Sequence, residues 1–414
     1  MLSGWRLRPG AVINKRENQI MSTEKSLSTD ARNVLLTPWL AEKIQRANFS
    51  LTDFMFLALA GHSELESIFG VSHANMDTFR QQTAAKATLM NLPFVALAPV
   101  LDDPRDWETF VDGAMFSPNV EKLTEQMPRV DQITSRDIYH YNQAYVQLLK
   151  DVLHMNVAAI PLLGISKELA SYLKSLPMAR LDNAIGAIKF PLFRWRFHDS
   201  NFWMEFGAGW LTEETVAHYL MRTSPVRTAS LPYQHAWTDL RLERSEKEVF
   251  ARMMMGQGCR ASTATNLFSL NPGKARATYK HIHGVSSPCG CNPTSLIWYV
   301  EQSVHRLQAT TYVWLYRSAL DNGGNIPEAL IAANDIMAKT FGKSLVITAD
   351  RGNHLTRAMA LDSRLTMAPC RSCGTDYVLS NGEGKIELAK DFSCPGCNYL
   401  LSPKSQVSKR KQSH

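Results

Sequence analysis

Residues 260–284 read RASTATNLFSLNPGKARATYKHIHG, and the kind of fold turns on how that stretch is read. Arg260 to Phe268 contains no helix breaker and sets the small residues Ala261 and Ala264 three apart, so a short, closely packable helix is expected. Ser269-Leu270-Asn271 interrupts it, with Leu270 turned inward. Asn271 is a strong N-cap and Pro272 suits the first helical position, so a second helix is expected from there. In that helix Ala275, Tyr279 and Ile282 share one face, which the spacing predicts to be buried. The other face presents Gly273, Ala277, Lys280 and His281, bordered by Lys274 and Arg276. A small face with cations at its margins is what a recognition helix needs to enter a major groove. Lys274, Arg276, Lys280 and His281 are therefore the candidate DNA contacts. An ordinary helical hairpin with a solvated basic face has the same pattern, and spacing alone does not separate the two.

The surroundings of this stretch are short of acid. From Ala251 to Val300 no Asp or Glu occurs, while Arg252, Arg260, Lys274, Arg276 and Lys280 do. Residues 251–414 hold nineteen of the 45 Lys/Arg and only ten of the 38 Asp/Glu, so the net charge of +7 originates there. Such asymmetry points to a polyanionic partner such as double-stranded DNA, a solvated basic face being the plainer alternative. At 414 residues, 45% hydrophobic and 20% charged, the chain is expected to form two to four globular domains. The longest uncharged stretch, Ala87 to Leu101, is broken by Asn91, Pro93 and Pro99, so no membrane span is expected. The opening MLSGWRLRPG lacks the apolar core of a secretory signal, and a cytoplasmic protein is expected. Residues 1–20, ahead of a natural-looking start at Met21, read as an unstructured extension or a misassigned start. Residues 401–414 read as a disordered basic tail.

All seven cysteines follow residue 258, and the last four form Cys370-Arg-Ser-Cys373 and Cys394-Pro-Gly-Cys397. Two C-x2-C knuckles twenty residues apart supply the four thiolates of a closed tetrahedral site, so one structural zinc per chain is expected on Cys370, Cys373, Cys394 and Cys397. An iron centre or a redox dithiol pair would use the same spacing. Gly374 and Gly396 are expected to give the knuckles left-handed backbone, and Asp376–Leu379 with Lys385–Leu388 to form a hairpin around Asn381-Gly382, completing a zinc ribbon. Cys289 and Cys291 lie in a Pro/Ser/Gly loop and read as reduced thiols, although His281 and His283 are near enough in sequence to complete a second site. No phosphate loop, dinucleotide fingerprint, HExxH or nucleophile elbow is present. Asp102, Asp103 and Asp106 read as a solvated loop, and no enzyme is expected.

The N-terminal part is expected to be helical: Thr37–Gln45, Asp53–Ala60, Ser63–Phe69 stopped by Gly70, then a helix capped by Ser72. A long amphipathic helix is expected over Asp137–Met155, another from Ser166 to Ser175, an extended piece or buried loop over Phe190–Phe197, and helices over Glu243–Met255, Leu296–Leu320 and from Pro327 to Phe341. Phe69-Gly-Val-Ser72 and Leu163-Gly-Ile-Ser166 share one pattern. Each is followed by a proline-containing apolar stretch, Leu92–Leu97 or Phe190–Phe193. A duplication would produce this, and so would chance.

From about Ser245 to Cys397 the chain resembles the bacterial flagellar transcriptional activator FlhC. The likeness runs through Ala277-Thr-Tyr-Lys-His-Ile-His-Gly284, the Ser-Pro loop, the long Trp-bearing helix and the four cysteines in order. The interval between the knuckles is longer than that family's, and Cys289 and Cys291 depart from it. Ile138 to Phe197 resembles FlhD, the usual partner of FlhC, through Ile138-Tyr-His-Tyr-Asn142, Leu163-Gly-Ile165 and Phe193-Arg-Trp-Arg-Phe197. The resemblance implies a mainly α protein with a helical domain over 28–125 (a degenerate FlhD-like repeat), an FlhD-like domain over 131–240, and an FlhC-like helix-turn-helix domain with its zinc ribbon over 243–400. It implies a transcriptional activator that binds DNA and recruits RNA polymerase to flagellar promoters, or to conjugative-transfer genes as relatives on mobile elements do. It also implies a homodimer, with either a separate FlhD-like subunit or, if residues 50–100 are a second copy, none. The alternative is a zinc-ribbon adaptor that binds proteins and not DNA.

Overall fold

The computed structural model of the chain describes residues 33–113, 117–225, 241–290, 295–361, 364–382 and 385–401. The extension at 1–20, the tail beyond Leu401 and Cys291 lie outside them. Among the described residues the chain is mainly α, with nineteen helices and two small sheets. None of these helices is long and apolar enough to cross a membrane.

Helices Pro38–Gly61 and Gln132–Met155 are 24 residues each and pack on one another, with Phe54 stacked on Tyr141 at 4.3 Å and Lys43 paired with Asp151. The first was expected as two helices, Thr37–Gln45 and Asp53–Ala60. It is continuous because Asn48 is fully buried and bonds to another segment instead of turning its own backbone. Its Nδ2 donates to the Phe94 carbonyl at 2.8 Å, and its Oδ1 accepts the Ala96 amide at 2.9 Å. Asn142 does the same in the second helix, to Phe190 at 2.9 Å and Leu192 at 2.7 Å.

The correspondence continues along the chain. Gly70 and Gly164 end short helical turns in left-handed conformation, φ 66° and 69°, where a Cβ would be strained. Ser72 and Ser166 then cap the nine-residue helices His73–Gln81 and Lys167–Ser175. Eight-residue helices follow at Thr83–Met90 and Met178–Ile185, then three-residue strands β1 (Leu97–Pro99) and β2 (Phe193–Trp195). Asp103 and Asp199 cap eight-residue helices, Pro104–Val111 and Ser200–Gly207, and Ser117 and Thr212 cap the last pair, Pro118–Gln126 and Glu213–Arg222. Matching elements begin 93 to 96 residues apart. Apart from the 3-10 turn Ser63–Leu65, each element of the segment 38–126 thus has a counterpart in 132–222.

The two repeats interlock about a local two-fold axis. Strands β1 and β2 pair antiparallel, with Leu97 opposite Trp195, Ala98 opposite its counterpart Arg194, and Pro99 opposite Phe193. Beyond the strands each repeat crosses onto the other. Helix Pro104–Val111 packs on Lys167–Ser175 and Met178–Ile185, with Arg180 paired to Asp112. Helix Ser200–Gly207 packs on His73–Gln81, where Phe206 stacks on Phe79 at 5.4 Å and Gln82 Nε2 donates to the Gly207 carbonyl. Asp106, expected in a solvated loop, is helical and buried, and accepts from Ser117 and Asn119.

The remaining chain wraps this repeat pair. Helices Arg244–Gly256, Ala261–Phe268 and Pro272–His283 form a three-helix cluster. The expected helix over Leu296–Leu320 is instead Trp298–Glu301 followed by Ser303–Asp321, because Gln302 is extended and the Arg306 guanidinium takes the freed Val300 carbonyl. Helix Ser303–Asp321 is buried on nearly every side. Trp314 stacks on Phe94 at 6.1 Å and donates to Ser224, while Asn322 donates to the Val157 carbonyl. Helices Ile326–Phe341 and Ala349–Leu361 follow, then strands β3 (Leu365–Pro369), β4 (Asp376–Gly382) and β5 (Lys385–Ile386). β3 was not expected. It pairs antiparallel with β4, from Leu365 opposite Ser380 to Pro369 opposite Asp376.

Candidate metal centre

The first knuckle is the tip of the β3–β4 hairpin. Cys370 N–H donates to the Thr375 carbonyl at 2.9 Å, the Gly374 amide returns to Cys370 O at 2.8 Å, and Gly374 has the left-handed φ of 70° that such a tip requires. The second knuckle lies against it, because the Arg371 amide bonds to Phe392 O at 3.0 Å and the Cys394 amide to Cys370 Sγ at 3.2 Å. Cys373 and Cys394 sulfurs are 3.8 Å apart.

Helix Glu213–Arg222, the last element of the second repeat, delivers a histidine to these thiols. Its N-terminus is fixed by the reciprocal Thr212–Thr215 bonds, and its buried side carries His218. The ligand atoms of His218, Cys373, Cys394 and Cys397 all lie within 4.8 Å of one another, close enough to hold a metal ion. Cys370 does not belong to this set. Its sulfur accepts the Ser372 and Cys394 amides, at 3.4 and 3.2 Å. Gly396 was expected to be left-handed and is not. A Cβ there would fall 2.4 Å from the imidazole of His218, so the glycine makes room for the ring.

Electrostatics in the cluster follow from burial. Desolvation lowers His218 to about 4, which keeps its ring neutral, the form that can ligate a metal. Nδ1 of His218 is 2.8 Å from the fully buried Tyr377 hydroxyl, so Nε2 is left for the sulfur side. The Cys394 thiol hydrogen bond holds Cys373 well below the ordinary thiol range, while that bond and burial push Cys394 up. Thiols this close cannot all ionise against one another, and a divalent cation between them removes that penalty. A cavity of about 190 Å³ opens beside the cluster, lined in part by Asn201, Glu205, Arg222 and Tyr399.

Helix Pro272–His283 carries the other candidate residues. Ser269 takes the left-handed conformation, φ 53°, that lets three residues turn the chain between the two helices. Asn271 caps by accepting the Lys274 amide, and Ala275 and Tyr279 are buried while Gly273, Lys274, Arg276, Ala277, Lys280 and His281 are exposed. Lys274 Nζ is 2.7 Å from Glu248 on helix Arg244–Gly256, so this cation is already partnered.

Of the predicted ligands, Cys373, Cys394 and Cys397 come together and Cys370 stands beside them. His218 had no signal in the sequence: it is a single histidine between Val216-Ala217 and Tyr219-Leu220-Met221, 155 residues before Cys373. Among the described residues no second cluster of this kind occurs, and Cys289 is exposed. Compared with protein-family models and with curated proteins, the chain matches none.

Proposed function

We propose that the chain is a zinc-containing, DNA-binding transcriptional activator of the FlhC type, in which helix Pro272–His283 enters the major groove. The observation that carries this reading is that helix's outer face. Gly273, Ala277, His281 and the cations Arg276 and Lys280 are exposed together, in a fifty-residue stretch without a carboxylate. Thiolate and imidazole are the donors zinc favours, and four of them leave no position open for catalysis, which supports a structural ion. The local two-fold within one chain supports an activator that needs no separate FlhD-like subunit. Two chains on a two-fold-related site would recruit RNA polymerase to flagellar or conjugative-transfer promoters.

The test is selection of purified protein on a random-sequence duplex pool, followed by sequencing of the bound fraction. One enriched motif is expected. Arg276→Ala and Lys280→Ala should each weaken binding by about 1–3 kcal/mol if the side chain reads a base edge, or reduce the salt slope by about one unit if it meets a phosphate. Absence of enrichment, with affinity unchanged in the double variant, removes the DNA-binding reading and leaves the adaptor.

A further inference from the structure

The geometry points to a metal held by His218 together with Cys373, Cys394 and Cys397, so that the ion clamps the ribbon onto the last helix of the second repeat. This rests on the cluster being a metal site, and it differs from a ribbon that closes its own site with four cysteines.

Three observations converge on His218. Its ring nitrogen lies within 4.8 Å of three sulfurs at once. The second knuckle has a glycine, outside the left-handed region, at a place where a Cβ would strike the ring. Nδ1 is occupied by Tyr377, a residue of β4 in the ribbon itself, so the ribbon holds the orientation of a ligand that belongs to another part of the chain. Outer partners of this kind fix which nitrogen of a ligating histidine faces the metal. Cys370 lies outside this set of mutually close ligand atoms, and its sulfur joins the knuckles by accepting the Cys394 amide.

The repeat adds an argument of its own. Counted from the capping residues Ser117 and Thr212, the place of His218 in the first repeat is filled by Leu123. The two repeats match in their elements but only one offers a ligand, so the clamp would select which of two similar helices the ribbon docks on. Because metal-binding free energy appears as folding free energy, it would here stabilise the docking as well as the ribbon.

The deciding experiment is X-ray absorption of the full-length zinc protein and visible absorption of its cobalt(II)-substituted form. Three sulfurs and one nitrogen around the metal are expected. Cys370→Ser should keep one metal per chain and the cobalt bands. His218→Cys should keep the metal but move the bands to those of four sulfurs, and Tyr377→Phe should weaken metal affinity about 10–100-fold. Four sulfurs in the wild-type protein, or cobalt bands that change in Cys370→Ser and not in His218→Cys, would overturn the clamp while leaving a metal site. A wild-type chain that retains no metal would overturn both.

Discussion

The imidazole of His218 fills the space that a side chain at position 396 would need, so the two residues should be coupled in their response to mutation. Gly396→Ala is expected to lower stability by about 1–3 kcal/mol, the usual cost of overpacking, and to reduce bound metal. Adding His218→Ala should relieve the clash, so that the double variant melts no lower than His218→Ala alone while its metal stays low, as calorimetry with metal analysis would show. If the two losses simply add, the ring does not lie where the structure places it. Glu205, nearby, is buried with its Oε2 unpartnered, and burial raises its carboxyl above the usual range. A raised acid binds its proton more readily in the folded state. Its contribution is therefore complete below the unfolded value near 4.5 and declines as pH rises toward the folded value. Glu205→Gln, which keeps the shape and cannot ionise, should raise the melting temperature at pH 7 and leave it unchanged at pH 4. A gain that persists undiminished at pH 4 would show that charge is not the cause.

Asparagine in a helix interior usually weakens it, yet Asn48 and Asn142 lie inside the two longest helices. Each joins its helix to the segment before a strand by one donated and one accepted bond, all out of contact with water. Asn48→Ala leaves a buried carbonyl and a buried amide unpaired, so about 2–4 kcal/mol should be lost. Asn142→Ala should cost a similar amount, because the partners are equivalent. Urea unfolding of the two variants checks both numbers, and a large inequality would mean that the repeats are not energetically equivalent. On helix Pro272–His283 the cations are not equal. Lys274 is held by Glu248, whereas Arg276 and Lys280 are exposed and in no ion pair among the described residues. Lys274→Ala should therefore weaken DNA binding less than Arg276→Ala, and Glu248→Ala should strengthen it by releasing a cation and removing an anion. Titrations at two salt concentrations would show whether that order holds.

At the scale of the molecule the repeats are exchanged: the strand and the helix after it leave their own repeat and complete the other. A protease site introduced at 114–116, between helices Pro104–Val111 and Pro118–Gln126, should thus give two fragments that stay together. They should elute at the mass of the intact chain and part only in denaturant. Fragments that separate in native buffer would show the interlock to be weaker than the buried strand pairing and the Phe79–Phe206 contact imply. The part that follows the repeats leans on both. Leu36 bonds to Asp335 and Phe94 stacks on Trp314 on one side, and His218 meets the cysteines on the other. Cutting the repeats from the rest would expose apolar surface on each.

The sequence by itself determined what depends on near neighbours. Ser72 as a cap, Gly70 as a stop, the helix from Ser166, the Asn271-Pro272 start of the exposed basic helix and the turn at Gly374 were all legible, because each is decided within about one turn of chain. Most of the individual helices followed from the same local signals, and the resemblance implied the mainly α class. Four residues of a repeat were visible, but not its extent, since the matching elements share lengths and caps more than side chains. Tertiary structure alone decided the rest. It made Pro38–Gly61 continuous by giving Asn48 a distant partner, buried Asp106, added β3, broke the helix at Gln302, and set His218 against Cys373. Asn48 and His218 meet partners 46 to 159 positions away, and Asp106, β3 and the break at Gln302 depend on partners six to fifteen positions away, beyond one helical turn. Hydrogen bonds and packing formed at that distance override local preference, and no spacing rule encodes them.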